Sequence, residues 1–157
     1  YNELSNFEYN VRLLDRQLIN VNTTLIPSSL FDKCNIKKLD DPVAIDYDFF
    51  LRSALLYKIK FHLISKQLIK YRIHSKQLSH KNIVKTLNYV SKIKNEILQQ
   101  LDIQLRDKYI YELKQYQKTK PFKTKILEFA MKLLTSNISW ASDTLLIFYL
   151  NYIRHSR

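Results

Sequence analysis

Glycine is missing from all 157 residues of this chain, against a usual share of about 7%. Gly-rich phosphate loops of the P-loop or Rossmann type are therefore excluded, because they need backbone positions that a Cβ would obstruct. The single cysteine, Cys34, excludes a disulfide within one chain, so the cysteine content does not require an oxidising compartment. The longest apolar candidate, LLIFYLNYI at 145–153, is roughly half of a membrane span. We therefore expect a cytoplasmic protein that does not cross a membrane.

Acidic residues are missing between positions 49 and 95, a stretch that carries eleven lysines and arginines. The net charge of the whole chain is +12, so almost all of the excess positive charge lies in this one stretch. A concentrated basic surface attracts phosphate groups. The charge alone leaves three partners open, namely nucleic acid, an anionic membrane surface and a nucleotide-diphosphate substrate.

Apolar residues are plentiful, at 46% of the chain, and can bury a core in a domain of this length. Their spacing at intervals of three and four predicts a helix over 3–18, a short helix over 28–34 and a helix that starts at Asp46. Beyond Ser79 the pattern predicts four more helices, over 83–101, 105–116, 121–135 and 140–152, with Pro121 in the first turn of the third. This second half has no motif of its own.

Strands are predicted in the first half of the chain. The segment LINVNTTLI at 18–26 mixes β-branched residues with alternation and ends at Pro27. Apolar and basic residues alternate in KIKFHLI at 58–64 and in LIKYRIH at 68–74. The predicted fold class is therefore α+β and predominantly helical, with a few strands in residues 1–81 and a helical extension over 82–157.

The stretch IDYDFFLR at 45–52 places two carboxylates at the start of the third predicted helix. Asp46 is suited to accept backbone N–H bonds there, and Asp48 precedes Arg52 by four residues, the favourable order for an ion pair. DYD also matches the DxD pattern that binds a metal-nucleotide in many glycosyltransferases. That motif normally ends a buried strand, whereas here it follows a polar loop and opens a helix.

The order of three segments resembles the acceptor-side half of family 2 glycosyltransferases of the GT-A fold. The segments are NVNTTLIPSSLFDKC, IDYDFFLRSAL and KIKFHLISKQLIKYRIHSKQLS, which together cover about residues 18–80. The corresponding family pattern is a strand and short helix of the type s.liprslfdk.g, then EDYDLWLRLA, then a strand pair that ends in YRIH. The resemblance implies that residues 1–81 are part of a GT-A type α/β domain, followed by the helical tail at 82–157.

Residue roles follow from this resemblance. Asp46 matches the family's general base, which takes a proton from the acceptor hydroxyl. Asp48 and Arg52 match the aspartate and arginine that hold this helix in place, and they are also candidate substrate-binding residues. Arg72 and His74 match positions that approach the donor pyrophosphate or its metal ion, so His74 is also a candidate metal ligand.

The resemblance further implies a nucleotide-sugar donor, a glycan or lipid-linked acceptor, and Mn²⁺ or Mg²⁺ in the complete enzyme. The donor-binding half and its DxD motif would precede Tyr1, so we expect this chain to be an incomplete and inactive fragment. Ile45 stands where the family has a glutamate, and the family's glycine near Asn35 is missing. A peripheral membrane contact through the basic and aromatic tail also fits the composition.

Two other functions remain open at this stage. A basic module could bind nucleic acid through KQLIKYRIHSKQLSHK at 66–81, where aromatic and histidine side chains accompany the cations. The second is a helical interaction or scaffold protein that has lost catalysis. Ile45, which stands where the family has a glutamate, favours this alternative.

Overall fold

The structure is a computed structural model that describes residues 5–34, 44–62, 64, 66, 69–70, 83–122, 124–126 and 128–129. In order along these residues, the structure has one 3-10 turn and the following α-helices: α1 Asn6–Asp15, the turn Val21–Thr23, α2 Ser28–Cys34, α3 Ile45–Leu55, α4 Ile83–Gln100 and α5 Ile103–Thr119. The chain divides into two compact units, Tyr1–Tyr116 and Gln117–Arg157.

The predicted α+β class is wrong for the part of the chain that the structure describes, which contains helices and no sheet. Within 18–26 the structure has the 3-10 turn Val21–Thr23 between residues of irregular structure, in place of a strand. Asn20 Oδ1 accepts the Asn22 N–H at 3.1 Å, and the Thr24 hydroxyl donates to Val21 O at 2.7 Å. Because these side chains bond to nearby backbone, they compete with the ladder of a sheet.

The predicted strand at 58–64 has the expected alternation of burial but no neighbouring strand among the described residues. Ile59 and Phe61 are half-buried, whereas Lys58, Lys60 and His62 are exposed. Alternation predicts which side chains face the core, but pairing requires a second extended segment beside the first. Of the predicted strand at 68–74, only residues 69 and 70 are among those described, and they are not in a strand.

The predicted helices fare better than the strands. Helix α2 has the predicted bounds, and α3 begins at Ile45, one residue before the predicted start. Helix α4 matches the prediction at 83–101 and ends one residue earlier. Helix α5 matches the prediction at 105–116, but it begins two residues earlier and ends three residues later. The described residues after Pro121 are helical, as predicted, whereas the predicted helix over 140–152 lies outside the described residues.

Helix α3 lies at the centre of the core of the first unit. Its buried apolar residues are Tyr47, Phe49, Phe50, Leu51, Ala54 and Leu55. Helix α1 adds Leu13 and Leu14, and α4 adds Ile93 and Ile97, all almost fully buried. An amphipathic helix is stabilised mainly by such burial, at roughly 25 cal/mol per Å² of apolar surface.

Aromatic rings connect the surrounding elements to this core. Phe31 of α2 stacks on Phe49 with ring centroids 4.8 Å apart, and Phe61 meets Phe50 edge-on at 5.9 Å. On the other side of α1, Phe7 stacks on Tyr109 of α5 at 4.7 Å. Offset-stacked and edge-on rings at these separations are the favourable arrangements.

The last carbonyls of α1 are satisfied by side chains from other helices. The Tyr47 hydroxyl lies 3.0 Å from Leu13 O and 3.3 Å from Leu14 O, and Lys94 Nζ donates to Asp15 O at 2.8 Å. The final four carbonyls of a helix have no partner within it, and a cation is favourable at that end. These contacts fix the end of α1 against α3 and α4.

Two residues outside α3 have a positive φ, whereas its C-terminal cap, Leu56, is right-handed. Ala44 precedes the helix with φ 56°, and Lys58 follows it with φ 55°. Ala44 has no side chain that can cap the helix. After Lys58 the chain turns back, and the Ile59 N–H donates to Ser53 O at 2.9 Å.

Candidate functional site

Asp46 lies in the first turn of α3, one residue inside the helix, and its side chain is partly exposed. Its Oδ1 accepts the N–H of the next residue, Tyr47, at 2.9 Å. Asp46 is therefore not the N-cap that its position suggested: Ala44 occupies the capping position, and no side chain caps the helix. A carboxylate in the first turn is favoured by the helix dipole and remains within reach of a ligand from solvent.

Gln17 is the contact of Asp46 that the sequence did not reveal. Its Nε2 lies 2.6 Å from Asp46 Oδ2 and also donates to Ile19 O at 3.0 Å. The two residues are 29 positions apart, so no local pattern connects them. Gln17 thus joins the segment after α1 to the head of α3.

The predicted ion pair of α3 is present and extends to a second helix. Arg52 Nε lies 2.6 Å from Asp48 Oδ1, and Arg52 Nη2 lies 3.3 Å from Glu96 Oε2 of α4. The Asp48 side chain is only 6% exposed. Asp48 and Arg52 therefore connect α3 to α4, and Asp48 is too deeply buried to contact a substrate in this arrangement.

Burial raises the pKa of Asp48 above its ordinary value, and the adjacent Arg52 acts in the opposite direction. Tyr89 of α4 is close to the same charges, and its pKa is raised by burial and by the negative charge of Asp48. Burial also raises the pKa of Tyr47, whose hydroxyl stays protonated and donates to α1. This cluster holds the helices together and leaves Asp46 as the accessible carboxylate of the predicted pair.

Arg72 and His74, the other predicted site residues, lie outside the described residues. Across the part of the chain that the structure describes, no three metal-ligating side chains come together. The Mn²⁺ or Mg²⁺ that the resemblance implies stays a prediction, and we derive no step through a metal ion.

Exposed cations follow the end of α3. Lys58, Lys60, Lys66 and Lys70 are all exposed. Of the other cations in the acid-free stretch, Arg52 contacts a carboxylate and Lys94 a carbonyl on neighbouring helices. Lys92 is exposed and lies 3.9 Å from Glu96 of its own helix. Among the described residues, every helix is too short or too polar to cross a bilayer.

Comparison of the chain with protein family models, curated proteins and solved structures found no match.

Proposed function

We propose that this chain is the acceptor-side part of an inverting glycosyltransferase in which Asp46 is the general base. The observation that carries the proposal is the position of the Asp46 carboxylate. It is partly exposed at the head of α3 and is held by Tyr47 N–H and by the Gln17 amide. The order of residues around it, IDYDFFLR, supports the same role through its resemblance to family 2 glycosyltransferases.

The reaction follows from the chemistry of this group. The acceptor hydroxyl donates a hydrogen bond to an Asp46 oxygen and transfers its proton there as it attacks. The hydroxyl oxygen forms a bond to the anomeric carbon of the donor sugar. The bond from that carbon to the diphosphate breaks, and its electron pair leaves with the nucleoside diphosphate. Attack from the face opposite the leaving group inverts the anomeric configuration.

The other residues around Asp46 support it without contacting substrate. Asp48 and Arg52 connect α3, the helix that carries the base, to Glu96 of α4. Exposed Lys58 and Lys60 lie beyond the other end of the same helix, about 14 Å along its axis from Asp46, so they are not placed beside the base.

The test uses the complete enzyme that contains this chain, with UDP- and GDP-linked sugars as donors and methyl hexosides as acceptors, in the presence of Mn²⁺. Asp46→Asn is expected to reduce transfer by about 100-fold or more, because the isosteric amide cannot take a proton. Donor binding, measured by calorimetry, should not change. Asp102→Asn is the matched control, since Asp102 immediately precedes α5 and its Oδ1 accepts the Leu105 N–H. Transfer retained by Asp46→Asn, or no transfer by the unmodified enzyme with any donor, overturns the proposal.

A second candidate is a basic helical module that binds nucleic acid without catalysis. The observation in its favour is the helical structure of the described residues together with the exposed Lys58 and Lys60. Binding of a fluorescent oligonucleotide should then fall steeply as salt is raised, and Lys58→Ala with Lys60→Ala should reduce the slope. Lys114→Ala, an exposed lysine of α5, is the control. Absence of salt-dependent binding by this chain excludes this candidate.

A further inference from the structure

The Gln17 side chain has a defined orientation. Its amide nitrogen carries two hydrogens, and the two nearby groups, Asp46 Oδ2 at 2.6 Å and Ile19 O at 3.0 Å, are both acceptors. The flipped amide would place its oxygen against two other oxygens. The nitrogen end therefore faces Asp46, and both of its hydrogens are used.

The Asp46 carboxylate is held from two directions. Its own helix donates to Oδ1 through Tyr47 N–H, and the segment after α1 donates to Oδ2 through Gln17. A carboxylate oxygen accepts about two hydrogen bonds, so each oxygen retains acceptor capacity on its partly exposed side. The contacts orient the group and leave room for an incoming hydroxyl.

Gln17 itself is attached to a fixed part of the molecule. It follows Asp15, the last residue of α1, by two positions, and Lys94 of α4 donates to Asp15 O at 2.8 Å. The Tyr47 hydroxyl donates to the preceding carbonyls, Leu13 O and Leu14 O. Gln17 is exposed, and its two amide hydrogen bonds, to Asp46 and to Ile19 O, connect the head of α3 to the segment that follows this end of α1.

We propose that Gln17 is the positioning residue for Asp46, and that its amide holds the carboxylate in the orientation that takes the acceptor proton. This inference rests on the proposed function. Misplacing a reacting group by about 1 Å can reduce a rate by roughly 100-fold. Gln17 would contribute to transfer only through Asp46, without contacting the sugar.

The first experiment tests the contact alone, by NMR on this chain. Asp46→Asn should shift the side-chain amide signals of Gln17, because it removes the charge that they donate to. The side-chain amide of Gln104, which is exposed on α5, should not move. Unchanged Gln17 signals would show that the two side chains do not meet and would overturn the inference.

The second experiment measures transfer in the complete enzyme. Gln17→Glu replaces the donating group with an acceptor of the same shape. We expect kcat to fall about 10- to 100-fold with little change in the acceptor KM, because orientation matters most in the transition state. Gln104→Glu is the control for added negative charge and should retain full kcat.

A reciprocal exchange separates positioning from folding. Gln17→Glu combined with Asp46→Asn restores one donor and one acceptor between the two positions. Thermal stability lost in Gln17→Glu should therefore return, whereas transfer should not, because no carboxylate remains at the position of the base. If Asp46→Asn abolishes transfer while Gln17→Glu leaves kcat unchanged, the positioning role is wrong and the proposed function stands. If Asp46→Asn retains transfer, the proposed function itself fails.

Discussion

Arg52 Nε lies 2.6 Å from Asp48 Oδ1, and the Asp48 side chain is buried between α3 and α4. The same guanidinium reaches Glu96 Oε2 at 3.3 Å. A carboxylate in this position depends on its partner, because a buried charge without one is costly. The pair therefore supports the helix that presents Asp46.

Removing the guanidinium should destabilise the chain strongly. Arg52→Met keeps much of the aliphatic stem but leaves Asp48 without its cation, and we expect a loss of about 3 kcal/mol in the free energy of unfolding. Urea unfolding followed by circular dichroism measures this loss. Lys92→Met is the control, because Lys92 meets the same Glu96 at 3.9 Å but is 72% exposed. That change should cost less than about 1 kcal/mol, and equal losses for the two variants would contradict the account.

The stability of the chain should depend on pH through Asp48 in a defined direction. Burial raises the pKa of Asp48, so the folded state holds this proton more firmly than the unfolded state does. The stabilisation of the folded state by this proton is fully present below the ordinary carboxyl pKa of about 3.9. It is lost as pH rises through the pKa of Asp48 in the folded state. The free energy of unfolding of the parent relative to Asp48→Asn should therefore fall as pH rises from about 4.

Glu8 provides a comparison of opposite sign. Hydrogen bonds from the side chain and backbone of Ser5 lower the pKa of Glu8. Its contribution is present above the ordinary glutamate value and is lost as pH falls through the folded pKa. The free energy of unfolding of the unmodified chain, relative to that of Glu8→Gln, should thus rise with pH. If this difference and the difference for Asp48→Asn changed in the same direction with pH, the assignment would be contradicted.

Tyr109 should be the most sensitive position of α5. It is buried, stacks on Phe7, and its hydroxyl accepts a hydrogen bond from Asn10 Nδ2 at 3.3 Å. Tyr109→Ala should cost about 3 kcal/mol through the cavity it leaves, and Tyr109→Phe about 1 kcal/mol through the lost hydrogen bond. Tyr111→Ala removes an aromatic ring that is 60% exposed and serves as the control. Thermal or urea unfolding of the three variants gives the order, and a loss for Tyr111→Ala as large as for Tyr109→Ala would contradict it.

Cys34 should react with a thiol reagent only when α2 separates from α3. It is buried, and its Sγ lies 3.2 Å from Ser53 Oγ. The labelling rate should be far below that of the urea-unfolded chain and should rise with urea in parallel with unfolding. Rapid labelling in buffer, at the rate of the unfolded chain, would show that the contact between α2 and α3 is not maintained.

The features that the sequence predicted correctly are local ones. Helix α2 follows from hydroxyl residues after Pro27, and the pair of Asp48 with Arg52 follows from a spacing of four. The predicted strand at 18–26 is wrong because the side chains of Asn20 and Thr24 bond to nearby backbone and form a turn, despite the β-branched composition of the segment.

The candidate site was predictable only in part. Asp46 was identified from its neighbours in sequence, but Gln17 lies 29 residues away and Glu96 lies 44 residues from Arg52. Such contacts depend on how α1 and α4 pack against α3, and the spacing of residues within one segment does not predict them. Arg72 and His74 stay predictions, as does the boundary between residues 81 and 82.

Two residues with a positive φ, Ala44 just before α3 and Lys58 three residues after its last residue, bear on how the chain folds. In a chain without glycine, Ala44 and Lys58 adopt this backbone with a Cβ present, which costs about 1–2 kcal/mol for each residue. An excised peptide over 44–58 would bear that cost with no core to offset it, and we expect it to be a random coil in water. Helix α3 should therefore form on docking against its neighbours, so that the head of the helix, and Asp46 with it, takes shape late in folding.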